Sequence, residues 1–445
     1  MSSTPREQWT GRTAFVLAAV GSAVGLGNMW RFSYLTAEKG GAAFVLLYLV
    51  FTAAVGLPVM LAELTIGRGA QRSPIQALAH YGGPAWRPLG FLFVAAGFVI
   101  LAYYGVIAGW AVRYAGDALM GNIPADAGAY FGEVSEGWDT FGYHAAFMAV
   151  TILFVRGGVK RGIERAATLM MPLLFVLVIG IAIYARTLDG SSGGYAYYLN
   201  VDFSRVLDWD VLVAAAGQAF FSLSLGMGAM LTYASYLGRD HDLPSESLLI
   251  AGADFSVAFV AGFMVFPLIF ALGLQTTVMG QDTGTVGALF IALPTAFAKM
   301  GGAGQFVGAL FFVTLIVGAL TSAISLLEVV VAAAMDGLGW ERRRAAMVMG
   351  LLITAVGGLA AWRIDILDAM DTLANNVFLI GGGLGLSIFC GYVMKDPSGE
   401  AHASSGGAGW TVAWLPLLRY VVPVILAVIL VVSLSGTFDK LVALF

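Results

Sequence analysis

Gly21-Ser22-Ala23-Val24-Gly25-Leu26-Gly27-Asn28-Met29-Trp30-Arg31-Phe32 decides how this chain is read. It ends a charge-free run that begins at Thr13 and that is long enough to enter a membrane. Gly21, Gly25 and Gly27 make poor helix, each costing about 1 kcal/mol against alanine in a helix interior. Glycine also lets backbone approach a ligand closely. Broken backbone at membrane depth survives only where protein or a water-filled cavity surrounds it. One reading is therefore a helix interrupted to offer N–H and C=O groups to a solute or ion. The other is small residues that allow close helix packing. This stretch alone leaves both open.

Working outward, hydrophobic residues make up 59% of the chain and charged residues 11%. The charged share is under half of the roughly 25% usual for soluble domains. Uncharged runs fall at 13–30, 40–62, 89–112, 140–155, 166–185, 211–238, 255–281, 300–327, 345–362, 372–394 and 420–438. A spanning helix needs about 20 apolar residues. The expectation is an all-α integral membrane protein of eleven spans, folded as one domain over 1–445. The lone Cys390 excludes a disulfide framework. No P-loop or nucleotide fingerprint is present, so ATP is not the expected energy source.

Arg6, Arg12, Arg68, Arg72, Arg156, Lys160, Arg161, Arg342, Arg343 and Arg344 fall on one side of such a chain. Fewer cations, among them Lys39, Arg186, Lys299 and Lys440, fall on the other. The positive-inside rule makes the first side cytoplasmic. The N-terminus is then expected inside and the C-terminus outside. The longer outer loops are expected at 121–139, 186–210 and 282–299. The tract Pro397–Gly409, rich in Ser, Gly and Ala, reads as a flexible cytoplasmic linker.

A second interruption, Phe220-Phe221-Ser222-Leu223-Ser224-Leu225-Gly226-Met227-Gly228, lies in the sixth run, five spans after the first. Paired broken helices in corresponding halves point to an inverted-repeat transporter with its site at the midplane. The repeats are expected at 1–190 and 205–395, with an eleventh span at 413–438.

These residues carry a resemblance. Positions 21–32, Arg6 with Trp9, Ala62-Glu63-Leu64-Thr65-Ile66-Gly67-Arg68, Tyr103-Tyr104, Gln218–Gly228 and Leu320-Thr321-Ser322 resemble the neurotransmitter:sodium symporter family, whose members have the LeuT fold. Eleven spans are similar to bacterial members that carry hydrophobic amino acids. The resemblance implies a LeuT-type five-plus-five inverted repeat with the first and sixth helices broken. It implies a substrate site at Ala23, Gly25, Leu26, Gly27, Ile100, Tyr104, Phe221, Ser222, Ser224, Met227, Ser322 and Leu326. Its backbone and the Tyr104 hydroxyl would hold a carboxylate, in keeping with the positive potential at half-helix N-termini. Amine-carrying relatives place an aspartate at the Gly25 position, so its absence here favours an amino acid. Met227, flexible and polarizable, would admit aromatic as well as aliphatic side chains. By itself Met227 also reads as core filler, and Tyr104 as an ordinary spanning tyrosine.

The resemblance further implies two sodium sites. The first would use Ala23, Asn28, Ser222 and Asp254; the second Gly21, Val24, Gly318, Thr321 and Ser322. A Thr-Ser pair in a helix otherwise bonds its own preceding carbonyls. Asp254 would supply the charge that chloride brings beside Tyr48, Gln218 and Ser222 in chloride-dependent relatives, so chloride is expected to be unnecessary. Asp254 also reads as a residue of the seventh helix's entry, facing water. Glu63 is expected to cap amides freed by the broken helices. Arg31 with Asp371 would close the outer side, under a lid of Tyr104 and Phe221. Arg6 with Asp336, beside Trp9, Tyr236 and Glu328, would close the inner side. Gly162 and Pro172 would let the fifth span unwind.

The expected function is sodium-coupled import of hydrophobic L-amino acids by alternating access. The alternative is symport of another small carboxylate-bearing amine, such as a small neutral amino acid. The expected partners are that substrate, sodium ions and the lipid bilayer, with no nucleic acid. An intramembrane enzyme would need a nucleophile–base pair or metal cluster within the spans. His80, His144, His241 and His402 lie at span edges or in loops. A channel would need a continuous pore, which paired gates argue against.

Overall fold

The computed structural model describes residues 6–124, 126–275, 287–404 and 409–442. The described residues form helices joined by turns and loops. Lipid cannot satisfy backbone N–H and C=O groups, so apolar runs bond internally as helices. Nine are long and apolar enough to cross a membrane: Ala42–Ala70, Pro84–Leu119, Trp138–Arg156, Val159–Arg186, Leu243–Ala271, Gly302–Leu338, Arg342–Trp362, Ile364–Val393 and Trp410–Leu434. These are the second to fifth and the seventh to eleventh spans. The first span is the bent pair Arg12–Ala23 and Gly27–Glu38, which meet at 48°. The sixth is also in two pieces, Trp209–Ser222 and Ala229–Ala234.

Both interruptions follow from the sequence. The first helix stops where Val24 turns extended, at φ −77° and ψ 111°. Between the two pieces of the sixth span, Ser224, Gly226 and Gly228 all have positive φ, 53°, 74° and 72°. At Gly226 a Cβ would also lie 2.2 Å from the Leu379 carbonyl oxygen, so glycine is required there twice over.

The eighth span runs beside the third and packs on the first, fifth and ninth. The broken halves are thus surrounded by protein, as unpaired backbone inside a membrane requires. The structure corrects several boundaries. The seventh helix begins at Leu243, ahead of its uncharged run, which puts Asp254 in mid-helix and fully buried, not at a water-facing entry. The helix ends at Ala271, and residues 276–281 of that run lie outside the described residues. Two expected outer loops hold short helices, Ala127–Val134 and Ser191–Leu199. In the third, residues before 287 lie outside the described residues, and Gly287–Lys299 is helical.

The tract read as a flexible linker is docked where it is described. Pro397–Ala401 is helical, and Glu400 accepts from Arg68 Nε at 3.0 Å. The Ser404 hydroxyl donates to the His241 carbonyl. The physical reason is Arg68: a guanidinium with no exposed surface needs an anion beside it. Residues 405–408 of the tract lie outside the described residues.

Candidate functional site

The first break is held open by specific partners. The Asn28 Oδ1 accepts from Gly25 N at 2.9 Å, and the Tyr104 hydroxyl accepts from Leu26 N at 3.2 Å. Gln218 Nε2 donates to the Gly27 carbonyl at 2.8 Å. A Cβ on Gly25 would come within 2.3 Å of Ser322 Oγ and 2.8 Å of the Tyr104 oxygen. Gly25 is thus small because two hydroxyls face it.

The second break is capped by Glu63. Its carboxylate accepts from Gly226 N at 2.9 Å and from Leu231 N at 3.2 Å. Those amides lost their helical acceptors at the interruption, and an unmet amide in this setting is costly.

Between the breaks lies a small cavity lined by Ser22, Ala23, Gly25, Gly27, Ile100, Tyr104, Phe221, Ser224, Met227, Ser322 and Leu326. Ten of these residues were expected from the sequence; Ser22 was not. Its one signal was its place between Gly21 and Ala23. No charged side chain lines the cavity. Leu26 presents its amide to Tyr104 beside it. Ser222 turns away, into a polar cluster.

That cluster is centred on Asp254. Its Oδ1 accepts from Asn28 Nδ2 at 2.7 Å, and its Oδ2 from the Tyr48 hydroxyl at 3.0 Å and from Ser222 Oγ at 2.8 Å. A carboxylate buried among three donors is stabilised as hydrogen bonds replace its lost water. Asn28 thus spends its amide nitrogen on Asp254 and its oxygen on Gly25 N. Ala23, expected with Asn28, Ser222 and Asp254, lines the adjoining cavity.

A second group of oxygens lies against the eighth span. Ser322 Oγ is 3.5 Å from the carbonyl oxygens of both Gly21 and Val24, and 3.2 Å from that of Ser22. Thr321 Oγ1 donates to the Gly318 carbonyl at 3.0 Å. A Cβ on Gly21 would meet Thr321 Cβ at 3.2 Å. Gly21, Val24, Gly318, Thr321 and Ser322 are therefore brought together. They are hydroxyl and carbonyl donors, the chemistry a hard cation takes.

On the N-terminal face, Arg6 pairs with Asp336 at 2.9 Å. Trp9 is buried, and its Nε1 donates to the Tyr233 carbonyl at 2.9 Å. The Tyr236 hydroxyl donates to Glu328, which also pairs with Arg342 at 2.7 Å. Arg342 is a member of this network that sequence reading missed, because it lies on the ninth span.

On the opposite face, the expected pairing of Arg31 with Asp371 is not formed. Arg31 donates to Gln218 Oε1 at 2.9 Å and lies 5.1 Å from the centre of the Phe221 ring. Asp371 Oδ1 accepts from Asn375 Nδ2 at 2.8 Å. Each side chain has a nearer polar partner than the other. Phe221 and Tyr104 are both buried over the cavity.

The fifth span is wound where unwinding was expected. Val159–Glu164 is a π-turn that continues into Arg165–Arg186, with Pro172 inside the helix. Gly162 lies so close to Phe154 that a Cβ would sit 1.9 Å from its carbonyl oxygen.

The model of the sodium:neurotransmitter symporter family matches residues 6–140 and 131–440. The chain belongs to the sodium:neurotransmitter symporter family. It is 35% identical to the sodium-dependent transporter YhdH of Bacillus subtilis, over 97% of this chain and 98% of that protein. It is 31% identical to a sodium-dependent transporter of Haemophilus influenzae, over 96% and 98%. The crystal structure of MhsT in complex with L-phenylalanine is similar at a TM-score of 0.88 and 41% identity, covering 96% of this chain and 100% of that one. The chain is accordingly an all-α, multi-pass membrane transporter of LeuT type. It is a transporter, not an enzyme.

Proposed function

We propose that this transporter couples sodium entry to uptake of hydrophobic, aliphatic and aromatic, L-amino acids by alternating access. The observation that carries the reading is the uncharged cavity between the two breaks. With glycine at position 25 and no acidic side chain on the wall, a bare amine finds no counter-ion. A zwitterion brings its own carboxylate to the break amides and the Tyr104 hydroxyl. Ile100, Phe221, Met227 and Leu326 leave the rest of the site apolar. The MhsT structure, in complex with L-phenylalanine, supports this substrate class.

Two sodium ions enter as co-substrates. One would sit near Ala23, Asn28 and Ser222, where the substrate carboxylate couples it to uptake. The other would sit among Gly21, Val24, Gly318, Thr321 and Ser322. Asp254 already places a carboxylate among Tyr48, Ser222 and Asn28, so no external anion is required. Residues 1–190 and 205–395 would form the inverted repeats, with the N-terminus in the cytoplasm, the C-terminus outside, and the protein in a bacterial inner membrane. The Arg6–Asp336 side would then be cytoplasmic, and Arg31 with Asp371 would approach each other as the outer side closes over substrate. Gly162 and Pro172 would unwind when the inner side opens.

The test is uptake of labelled leucine into proteoliposomes. Uptake should require a sodium gradient and persist when gluconate replaces chloride. Tryptophan and phenylalanine should compete; glutamate and tryptamine should not. Strong competition by tryptamine would overturn the substrate assignment. Loss of uptake in gluconate would overturn the role given to Asp254.

A further inference from the structure

Four serines beside the cavity join three spans, and one of them, Ser325, lies outside every site assigned above. The Ser22 hydroxyl donates to Ser325 Oγ at 2.7 Å, and Ser325 Oγ donates to the Ser322 carbonyl at 2.8 Å. The Ser22 carbonyl in turn accepts from Ser224 Oγ at 2.8 Å and from Ser322 Oγ at 3.2 Å. All four side chains are buried. A helical serine commonly bonds the carbonyl three or four residues back. That accounts for Ser325 to Ser322 and for nothing else here. The bonds from Ser22 to Ser325, Ser322 and Ser224 run between the first, eighth and sixth spans.

Ser22 sits between Gly21 and Val24, whose carbonyls face Ser322. Gly21 has no side chain with which to anchor itself, and Val24 is extended, outside any helix. The serine between them is tied twice, through its side chain to Ser325 and through its carbonyl to Ser322. Of the three carbonyls around the Ser322 hydroxyl, that of Ser22 is nearest, at 3.2 Å against 3.5 Å for Gly21 and Val24. Ser224, in the second break, bonds the same carbonyl from the substrate side.

We infer that Ser22 and Ser325 form a buried hydroxyl pair that positions the Gly21 and Val24 carbonyls for the second sodium ion, and that Ser224 links this position to the substrate cavity. Both are positioning residues: they act through Ser322 and the break backbone, without touching the ion. The inference rests on the second sodium site proposed above. It predicts that loosening the pair from the Ser325 side weakens sodium binding while leaving substrate contacts in place.

The experiment is sodium titration of substrate binding and uptake for Ser22→Ala, Ser325→Ala and the double variant. Each single change should raise half-saturating sodium about fivefold, the loss of roughly one hydrogen bond. The double variant should be no worse than either single one, since all three remove the same bond. For Ser325→Ala, which leaves the cavity wall untouched, the substrate KM at saturating sodium should stay at the wild-type value. Ser325→Cys, close to serine in volume and a weak hydrogen-bonding partner, should fall between and remains informative if an alanine variant fails to fold. Unchanged sodium dependence, additive losses, or an effect confined to KM at saturating sodium would overturn the inference. Thr321→Ala serves as the control for the site itself. If it alone abolishes sodium dependence, the site stands and only the positioning role falls; if it leaves wild-type sodium affinity, the site reading fails.

Discussion

The two faces of this transporter are closed by different means. At the N-terminal face, Arg6, Asp336, Tyr236, Glu328 and Arg342 form a charged network with Trp9 packed beside it. At the opposite face Arg31 leans on Phe221 and donates to Gln218, while Asp371 keeps to Asn375. Glu328 has no exposed surface, and Arg342 little. Charges so placed need each other, because neither can recover water. Arg31 has only a neutral partner and a ring face. The difference teaches which side can move cheaply. Opening the networked face breaks several charge-assisted bonds at once. Under the proposed gating, Arg31 on the other face would only exchange one bond to Gln218 for a bond to Asp371.

The comparison breaks most sharply at Arg342. Arg342→Ala leaves the Glu328 carboxylate buried without its cation, at a cost of about 3–5 kcal/mol. Thermal unfolding in detergent should show a large fall in Tm. Adding Glu328→Gln should restore most of it, because the uncompensated charge is then gone. A double variant no better than Arg342→Ala would show that the network's electrostatics do not hold this face.

Asp336→Asn should have a smaller effect, because the Arg6 pair is partly exposed. Loss of a charge-assisted bond of this kind is worth about 1–2 kcal/mol, enough to bias the face toward opening about tenfold. Ala19→Cys, at a buried position and with Cys390→Ala, should then label faster from the N-terminal face. Unchanged labelling would mean that Trp9 and the Tyr236–Glu328 bond suffice.

The smallest effect is expected at Asp371. Since it makes no ion pair with Arg31 in this structure, Asp371→Asn should leave the unfolding free energy within about 0.5 kcal/mol of wild type, as for surface substitutions, and so barely move Tm. Its cost should appear only in substrate-dependent closure, as a modest rise in KM. A Tm loss comparable to that of Arg342→Ala would erase the asymmetry between the faces.

Much of the fold was legible because lipid imposes a simple rule. Apolar runs of sufficient length had to become helices, and Gly25, Gly226 and Gly228 had to mark where helices stop. Glu63, an acid with no business in a span, was readable as a cap for freed amides. The tract at 397–404 was misread for a related reason. Its composition signals flexibility, but the buried Arg68 holds Glu400 through a contact that local sequence does not show. Gln218, which lies beside the anion in chloride-dependent relatives, here spends its amide on the Gly27 carbonyl and on Arg31, a pairing that local sequence does not show.

What the sequence by itself determined was the membrane class, the two interruptions and the residue types around them. These depend on local quantities: hydrophobic length, the backbone freedom of glycine, and the cost of a charge inside an apolar run. Only the tertiary structure decided which hydroxyl faces which carbonyl, that Arg342 rather than solvent meets Glu328, that Ser325 reaches Ser22, and that Arg31 turns to Gln218. Each of those choices joins residues far apart in the chain. Each was settled by which polar partner lay within bonding distance once the spans had packed.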